Sequence, residues 1–288
     1  MGRHEAEPIV VAVDDSPNST AAVRWAARES MLRGAPVRIV HALAPGLEGG
    51  VGPRSGIHLN DREVAERILV DAEGAFRAER DPVGMDGVSV AVLEGAAVDC
   101  LVDASKQAQM IVVGTRGLHA AGRMLLGSVS AAVIHRAHCP VAVIPLPAQR
   151  PLPPGDDPVL VGVDHTDANG DAISLAFDEA SRRGAKLVVV HAWSDVGIPP
   201  VIGEARWHDR EAEMRARTAE RLAPWREERP GVDVELRVVC DVPAHALTFE
   251  SRYSQLVVVG GRRGGSLGSV SSAVVSRSET PVIVALER

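Results

Sequence analysis

Asp14, Gly34 and His41 recur 150 residues later as Asp164, Gly184 and His191, so the opening strand, first helix and second strand of the chain repeat without a gap. A chain written this way has to fold twice. Further along the offset shrinks: Gly114 pairs with Gly260 at 146, while Gly127-Ser128 and Pro140 pair with Gly268-Ser269 and Pro281 at 141. The second copy has therefore lost residues between those glycines. At 288 residues, with 45% hydrophobic and 24% charged residues, each half is long enough to bury its own core. Between the copies, Pro145 to Gly155 is too rich in proline for a helix or a central strand. The expected organisation is a domain over residues 1–147, an extended linker over 148–157 and a second domain over 158–288.

Within the first copy, short Val/Ile-rich runs near residues 9–14, 37–42, 88–93, 110–114 and 141–144 alternate with helical stretches near 19–33, 61–80, 96–107 and 128–137. Strands this apolar are buried on both faces, and strands joined by helices run parallel. The fold class is α/β: two tandem doubly wound domains, each a five-stranded parallel sheet with helices on both faces. Ligands of such sheets bind outside the carboxyl ends of the strands, where the strand order reverses. Ala12, Asp14, Val40 and Gly114 are predicted at those ends. The stretch Ala44 to Leu59, with five glycines, is predicted as an irregular flap over the same edge.

The strand Met110 to Val113 runs into Gly114-Thr115-Arg116-Gly117, and nine residues later Gly127-Ser128 opens a helix. Glycine has no Cβ, so backbone can approach an anion, and the N–H groups at a helix start attract phosphate. Gly127, Ser128, Val129 and Ser130 offer such groups. Arg116 inside the glycine step, and Arg123 beyond it, can pair with phosphate oxygens. Ser128 and Ser130 also suit helix capping, and the two roles are compatible. For Asp14 the bland alternative is a turn or cap, a role that Asp15, Ser16 and Ser19 suit equally well.

The pattern G-x-x-G-x9-G-S, between the strand at 111–113 and a helix ending near Ala137 to Pro140, resembles the ATP-binding signature of the universal stress protein family. The strand Ile9 to Asp14 followed by Ser16 and Ser19, and the strand ending Val40-His41-Ala42, fit that resemblance. It implies a stress-response regulator that binds ATP, with ADP or AMP as alternatives and Mg accompanying ATP. It also implies that Asp14 accepts hydrogen bonds from ribose or an adenine edge. Domains of this kind pair through last strands such as Val141 to Ile144 and Val282 to Ala285, giving an intramolecular pairing, with a homodimer as the expected assembly.

In the second copy Asp164, Gly260, Gly268, Ser269, Val270 and Ser271 form a weaker site. Seven residues separate Gly260 from Gly268, where twelve separate Gly114 from Gly127. Counted from Gly260, Arg263 replaces the second glycine of the step; counted from Gly261, only three residues lead to Gly268.

Other chemistries recede. A net charge of -7 with few aromatic residues argues against nucleic acid as a partner. There is no membrane-length apolar run, no secretion-type apolar core at the N-terminus and an odd count of three cysteines, which together predict a cytoplasmic protein without disulfides. Cys100, Cys139 and Cys240 read as small buried apolar residues. Neither lysine, Lys106 nor Lys186, follows a glycine as a P-loop requires. Gly264-Gly265-Ser266-Leu267-Gly268 matches a nucleophile elbow as a string, but no histidine follows His245. His135 and His138, on one helix face beside Cys139, suit the end of a helix better than a metal. His41 and His191 read as positioned by packing and a backbone hydrogen bond. No catalytic residue and no metal site is assigned, so ATP hydrolysis is expected to be slow or absent. The alternatives are a slow ATPase or adenylyl transferase on a similar fold, whose H-I-G-H and S-G-G-x-D-S strings do not occur here, or an interaction scaffold with vestigial sites.

Overall fold

The computed structural model describes residues 7–44, 57–79, 87–115, 126–146, 157–164, 170–193, 204–265 and 267–287, without the side chains of 57–60 and 204–209. Backbone contacts divide the chain into two units, Met1–Gln149 with Arg263–Gly265, and Arg150–Arg262 with Ser266–Arg288. The expected linker lies almost wholly outside the described residues.

In the first unit the strands are β1 (Ile9–Ala12), β2 (Val37–Leu43), β3 (Val88–Glu94), β4 (Met110–Gly114) and β5 (Val141–Ile144). All neighbours are parallel, in the order β3-β2-β1-β4-β5. The chain winds outward from β1 in both directions, so the reversal falls between β1 and β4, where Val11 sits opposite Val112. Ile9, Val11, Ile39, Ile111 and Val112 are fully buried. Helices α1 (Pro17–Arg33) and α2 (Ile57–Ala78) pack together over β1, β2 and β4, and α3 (Ala97–Ala104) packs with α4 (Ser128–Arg136). These pairs cover the two faces of a doubly wound sheet.

The second unit repeats the arrangement with β6 (Val159–Val163), β7 (Leu187–Trp193), β8 (Val234–Cys240), β9 (Leu256–Gly261) and β10 (Val282–Leu286). Its order is β8-β7-β6-β9-β10, again parallel throughout. Its helices are α5 (Gly170–Arg183), α6 (Glu204–Glu228), α7 (Pro243–Ser251) and α8 (Ser269–Arg277).

Local chemistry sets the ends of these elements and corrects several expected boundaries. β1 stops at Ala12 because the chain turns at Asp14, although Val13 still donates to the Val40 carbonyl at 2.9 Å. α1 begins at Pro17 rather than 19, since Ser16 is its N-cap and proline suits the first helical position. It ends at Gly34, whose φ of 62° is the left-handed conformation that lets its N–H return to the Ser30 carbonyl. Gly184 takes the same left-handed conformation after α5, at 58°, with its N–H on the Ser181 carbonyl at 3.2 Å. α2 starts at Ile57, so the last residues assigned to the irregular flap are helical; residues 45–56 lie outside the described residues. α3 is shorter than 96–107 and closes in a 3-10 turn, Ser105–Gln107. Among the described residues, no helix is long and apolar enough to cross a membrane.

Candidate functional site

Asp14 stands just beyond β1, half-buried, and its turn is fastened by its own side chain. Oδ1 accepts from Ser16 N at 3.2 Å, Ser16 Oγ at 2.5 Å and Ser19 Oγ at 2.6 Å, while Asp14 N donates to Ser19 Oγ at 2.8 Å. Capping therefore falls to Ser16 alone. Asp15 is exposed, and Ser19 serves to lock Asp14. One carboxylate oxygen is thus consumed by the turn, and Oδ2 takes part in none of these bonds. At the neighbouring strand end, His41 Nδ1 meets the Val13 carbonyl at 2.8 Å, and His191 meets Val163 at 3.1 Å in the second unit. Both histidines take the positioning role expected of them.

Gly114 ends β4 beside the first turn of α1. A Cβ there would stand 2.6 Å from Asn18 Cβ, so close helix–strand packing already requires this glycine. The base of the loop that follows is tied in two places. Gly127 N donates to the Thr115 carbonyl at 2.7 Å, and Ser130 Oγ donates to the Gly114 carbonyl at 2.7 Å. The expectation that Ser130 caps α4 is corrected here. Gly127 occupies the cap position without a side-chain bond, Ser128 is the exposed first helical residue, and buried Ser130 ties the helix back to β4.

The N–H groups of Ser128, Val129 and Ser130 precede the first intrahelical bond of α4, which Ala131 N makes to Gly127 O at 2.9 Å. They have no acceptor among the described residues. Arg116, Gly117 and Arg123 lie outside those residues. Ala12 and Val40 are register partners on β1 and β2, at the same sheet edge. Two residues not singled out in the sequence belong to this base: Asn18, and Thr115, whose Oγ1 donates to Asn18 Oδ1 at 3.4 Å.

In the second unit Ser271 Oγ donates to Gly260 O at 2.8 Å, and Gly268 again takes the cap position before Ser269 and Val270. The carboxylate end differs. Asp164 is exposed, and its backbone carbonyl accepts from Arg221 Nη1 at 2.6 Å. By the offset of 150, Asn169 and Ala168 replace Ser19 and Asn18.

A cavity of about 620 Å³ opens on the α1 side of Asp14. Its described lining includes Val13, Asp14 and Ser19 but neither Gly114, Gly127 nor Ser128, so it follows the α1–α2 groove rather than the glycine loop.

The remaining candidates are structural. His138 lies beyond the end of α4, so it does not share a helix face with His135. Among the described residues, no group of three His, Cys, Asp or Glu side chains could hold a metal ion. Cys139 is buried and desolvation pushes its thiol up to about 12, whereas Cys100 and Cys240 are half-buried rather than core residues.

A tandem of doubly wound units, each with a Gly-Ser helix start tied back to the central strand, defines the class, and comparison with known proteins names the family. The family model described as the universal stress protein family matches residues 5–145 and again 157–285, and this chain belongs to that family. A universal stress protein of Mycolicibacterium smegmatis is 43% identical, over 97% of this chain and 97% of its own. A solved universal stress protein from Archaeoglobus fulgidus, 20% identical, covers 99% of both chains with a TM-score of 0.69. Another from that organism, solved in complex with dAMP, is 30% identical and covers 48% of this chain and 96% of its own, with a TM-score of 0.36.

Proposed function

We propose that this chain is an ATP-binding regulatory or sensor protein of the stress response, with its nucleotide held in an N-terminal domain over residues 1–147. The observation that carries the reading is the donor set of Ser128, Val129 and Ser130 at the start of α4, which meets no acceptor among the described residues, at the sheet edge that also carries the Asp14 carboxylate, whose Oδ2 the turn does not use. Such N–H groups suit phosphate, and a carboxylate oxygen with no partner suits a ribose hydroxyl. Ala12 and Val40 supply backbone on either side of the adenine. Gly114 and Gly127 fix the ends of the loop, Gly117 lets its backbone approach the phosphates, and Arg116 adds charge. ADP or AMP fits the same donors, and Mg accompanies ATP through its phosphate oxygens.

The second site, built on Asp164, Gly260, Gly268, Ser269, Val270 and Ser271, is weaker because its loop is five residues shorter, seven against twelve. One tight nucleotide per chain is expected. Hydrolysis is slow or absent, and turnover near a typical enzyme rate of roughly 10 s⁻¹ would overturn the sensor reading.

Denaturing the purified protein and identifying the released nucleotide by chromatography tests the ligand. Calorimetric titration with ATP tests the site: Gly117→Leu should weaken binding markedly and the stoichiometry should be near one. Unchanged affinity in that variant, or two sites of equal affinity, would refute the assignment.

A further inference from the structure

Two side-chain bonds tie the end of β4 to the helices on its two faces. From the α4 side Ser130 Oγ reaches the Gly114 carbonyl at 2.7 Å, and the second copy repeats that bond between Ser271 and Gly260 at 2.8 Å. This tie belongs to the fold. From the α1 side Thr115 Oγ1 reaches Asn18 Oδ1 at 3.4 Å, and here the copies part. Asn18 becomes Ala168 at the offset of 150 and Thr115 becomes Gly261 at 146, so the second copy lacks both ends of the bond. Its own core closes on that position instead, since a Cβ on Gly261 would stand 2.7 Å from Val284 Cγ1. The bond accompanies the longer glycine loop and is missing beside the shorter one.

Asn18 is the second residue of α1, only 8% exposed and packed against Gly114. Its neighbours Pro17 and Ser19 line the α1–α2 cavity, but Asn18 does not, because it faces β4. Oδ1 is engaged by Thr115, while Nδ2 meets no acceptor among the described residues. An amide N–H2 this far from solvent ordinarily has one. The surroundings of the amide point to its chemistry. Thr115 is held on its backbone at both ends, its N–H on the Ile144 carbonyl at 3.0 Å and its carbonyl on Gly127 N at 2.7 Å. A single residue therefore separates the Asn18 amide from the cap position of α4.

We propose that Asn18 is a further phosphate-binding residue of the first copy, and that its Nδ2 donates to a phosphate oxygen of the bound nucleotide. The phosphate is then held from both faces of the sheet, by this amide at the start of α1 and by backbone N–H groups at the start of α4. The proposal rests on the nucleotide reading above. Thr115 occupies the oxygen end of the amide, which leaves the N–H2 end for the ligand. Such a donor favours a phosphate oxygen over a hydroxyl, because an ionised acceptor makes the stronger hydrogen bond. With alanine at this position, the second copy lacks the donor as well as part of the loop.

Calorimetric titration of the full chain with ATP tests it, in the wild type, Asn18→Asp and Asn18→Ala. Aspartate keeps the acceptor for Thr115 and removes the donor, whereas alanine removes both and is the residue that the second copy carries. Asn18→Asp should weaken ATP by about tenfold or more, and at least as much as Asn18→Ala, because a carboxylate there repels phosphate. A purely structural role predicts the reverse order, since aspartate preserves the bond to Thr115. Circular dichroism verifies the fold of both variants, and Asn18→Ala decides the matter if Asn18→Asp is disturbed. Wild-type affinity in either variant, or tighter binding in Asn18→Asp than in Asn18→Ala, would overturn the proposal and leave the nucleotide reading standing. A wild-type chain that binds no ATP would overturn both.

Discussion

Ser130 and Gly114 are joined across the strand–helix boundary by a 2.7 Å bond from hydroxyl to carbonyl, and Ser271 and Gly260 repeat it at 2.8 Å. Removing either hydroxyl strips a carbonyl of its partner at the loop base, which costs about 1–2 kcal/mol. Ser130→Ala and Ser271→Ala should destabilise the chain to a similar extent in urea denaturation. On the proposed function, only Ser130→Ala should also weaken ATP in a calorimetric titration, because it loosens the helix start proposed to hold the phosphates.

Gly114→Ala should be more damaging than its size suggests. The added methyl would meet the Cβ of Asn18 at 2.6 Å, an atom fixed to the helix backbone, so the first turn of α1 has to move. Overpacking of this kind costs about 1–3 kcal/mol. Thermal denaturation should register the loss even without nucleotide, and a stability equal to wild type would show that α1 yields freely.

Glu29 and Arg33 form an ion pair at 2.5 Å with side chains only 1% and 7% exposed, and Glu179 and Arg183 repeat it at 0% and 7%. Removing the glutamate takes its carboxylate away from a guanidinium that is almost out of solvent, while the other interactions of Arg33 and Arg183 remain. Glu29→Ala and Glu179→Ala should each cost about 3–5 kcal/mol in chemical denaturation, far more than loss of a surface pair. Replacing both partners with apolar residues of similar volume should recover much of the loss.

Cys139 gives the chain an alkaline limit. Burial raises its thiol from the ordinary 9.0 to about 12, so above pH 9 the unfolded chain releases a proton that the folded chain retains. The sign follows: this group's contribution is fully present below pH 9 and is lost as pH rises from about 9 to about 12. Stability measured across that window should fall less steeply in Cys139→Ala. In the native protein at neutral pH, a thiol reagent should leave Cys139 unmodified.

The sheet was legible because its strands are runs of Val and Ile bounded by glycine, proline and charge, and because one copy checks the other. The helix starts were harder. Asp15, Ser16 and Ser19 have similar capping chemistry, and only the fold of the turn assigns the cap to Ser16 and the lock on Asp14 to Ser19. Gly114 was visible as a glycine, but its contact with Asn18 joins residues 96 positions apart and has no local signature. The bond from Ser130 to Gly114 likewise spans 16 residues.

The bond from Gly127 to the Thr115 carbonyl makes the glycine loop a detachable part. With its two ends clamped, the intervening segment can change length while the sheet and helices below remain undisturbed, and the closure entropy changes only slowly with length. Going from twelve residues to seven alters it by about half a kcal/mol. The two copies can therefore differ in this loop while keeping the same sheet order and helices. The unequal loops of this chain are the kind of divergence that such a joint permits.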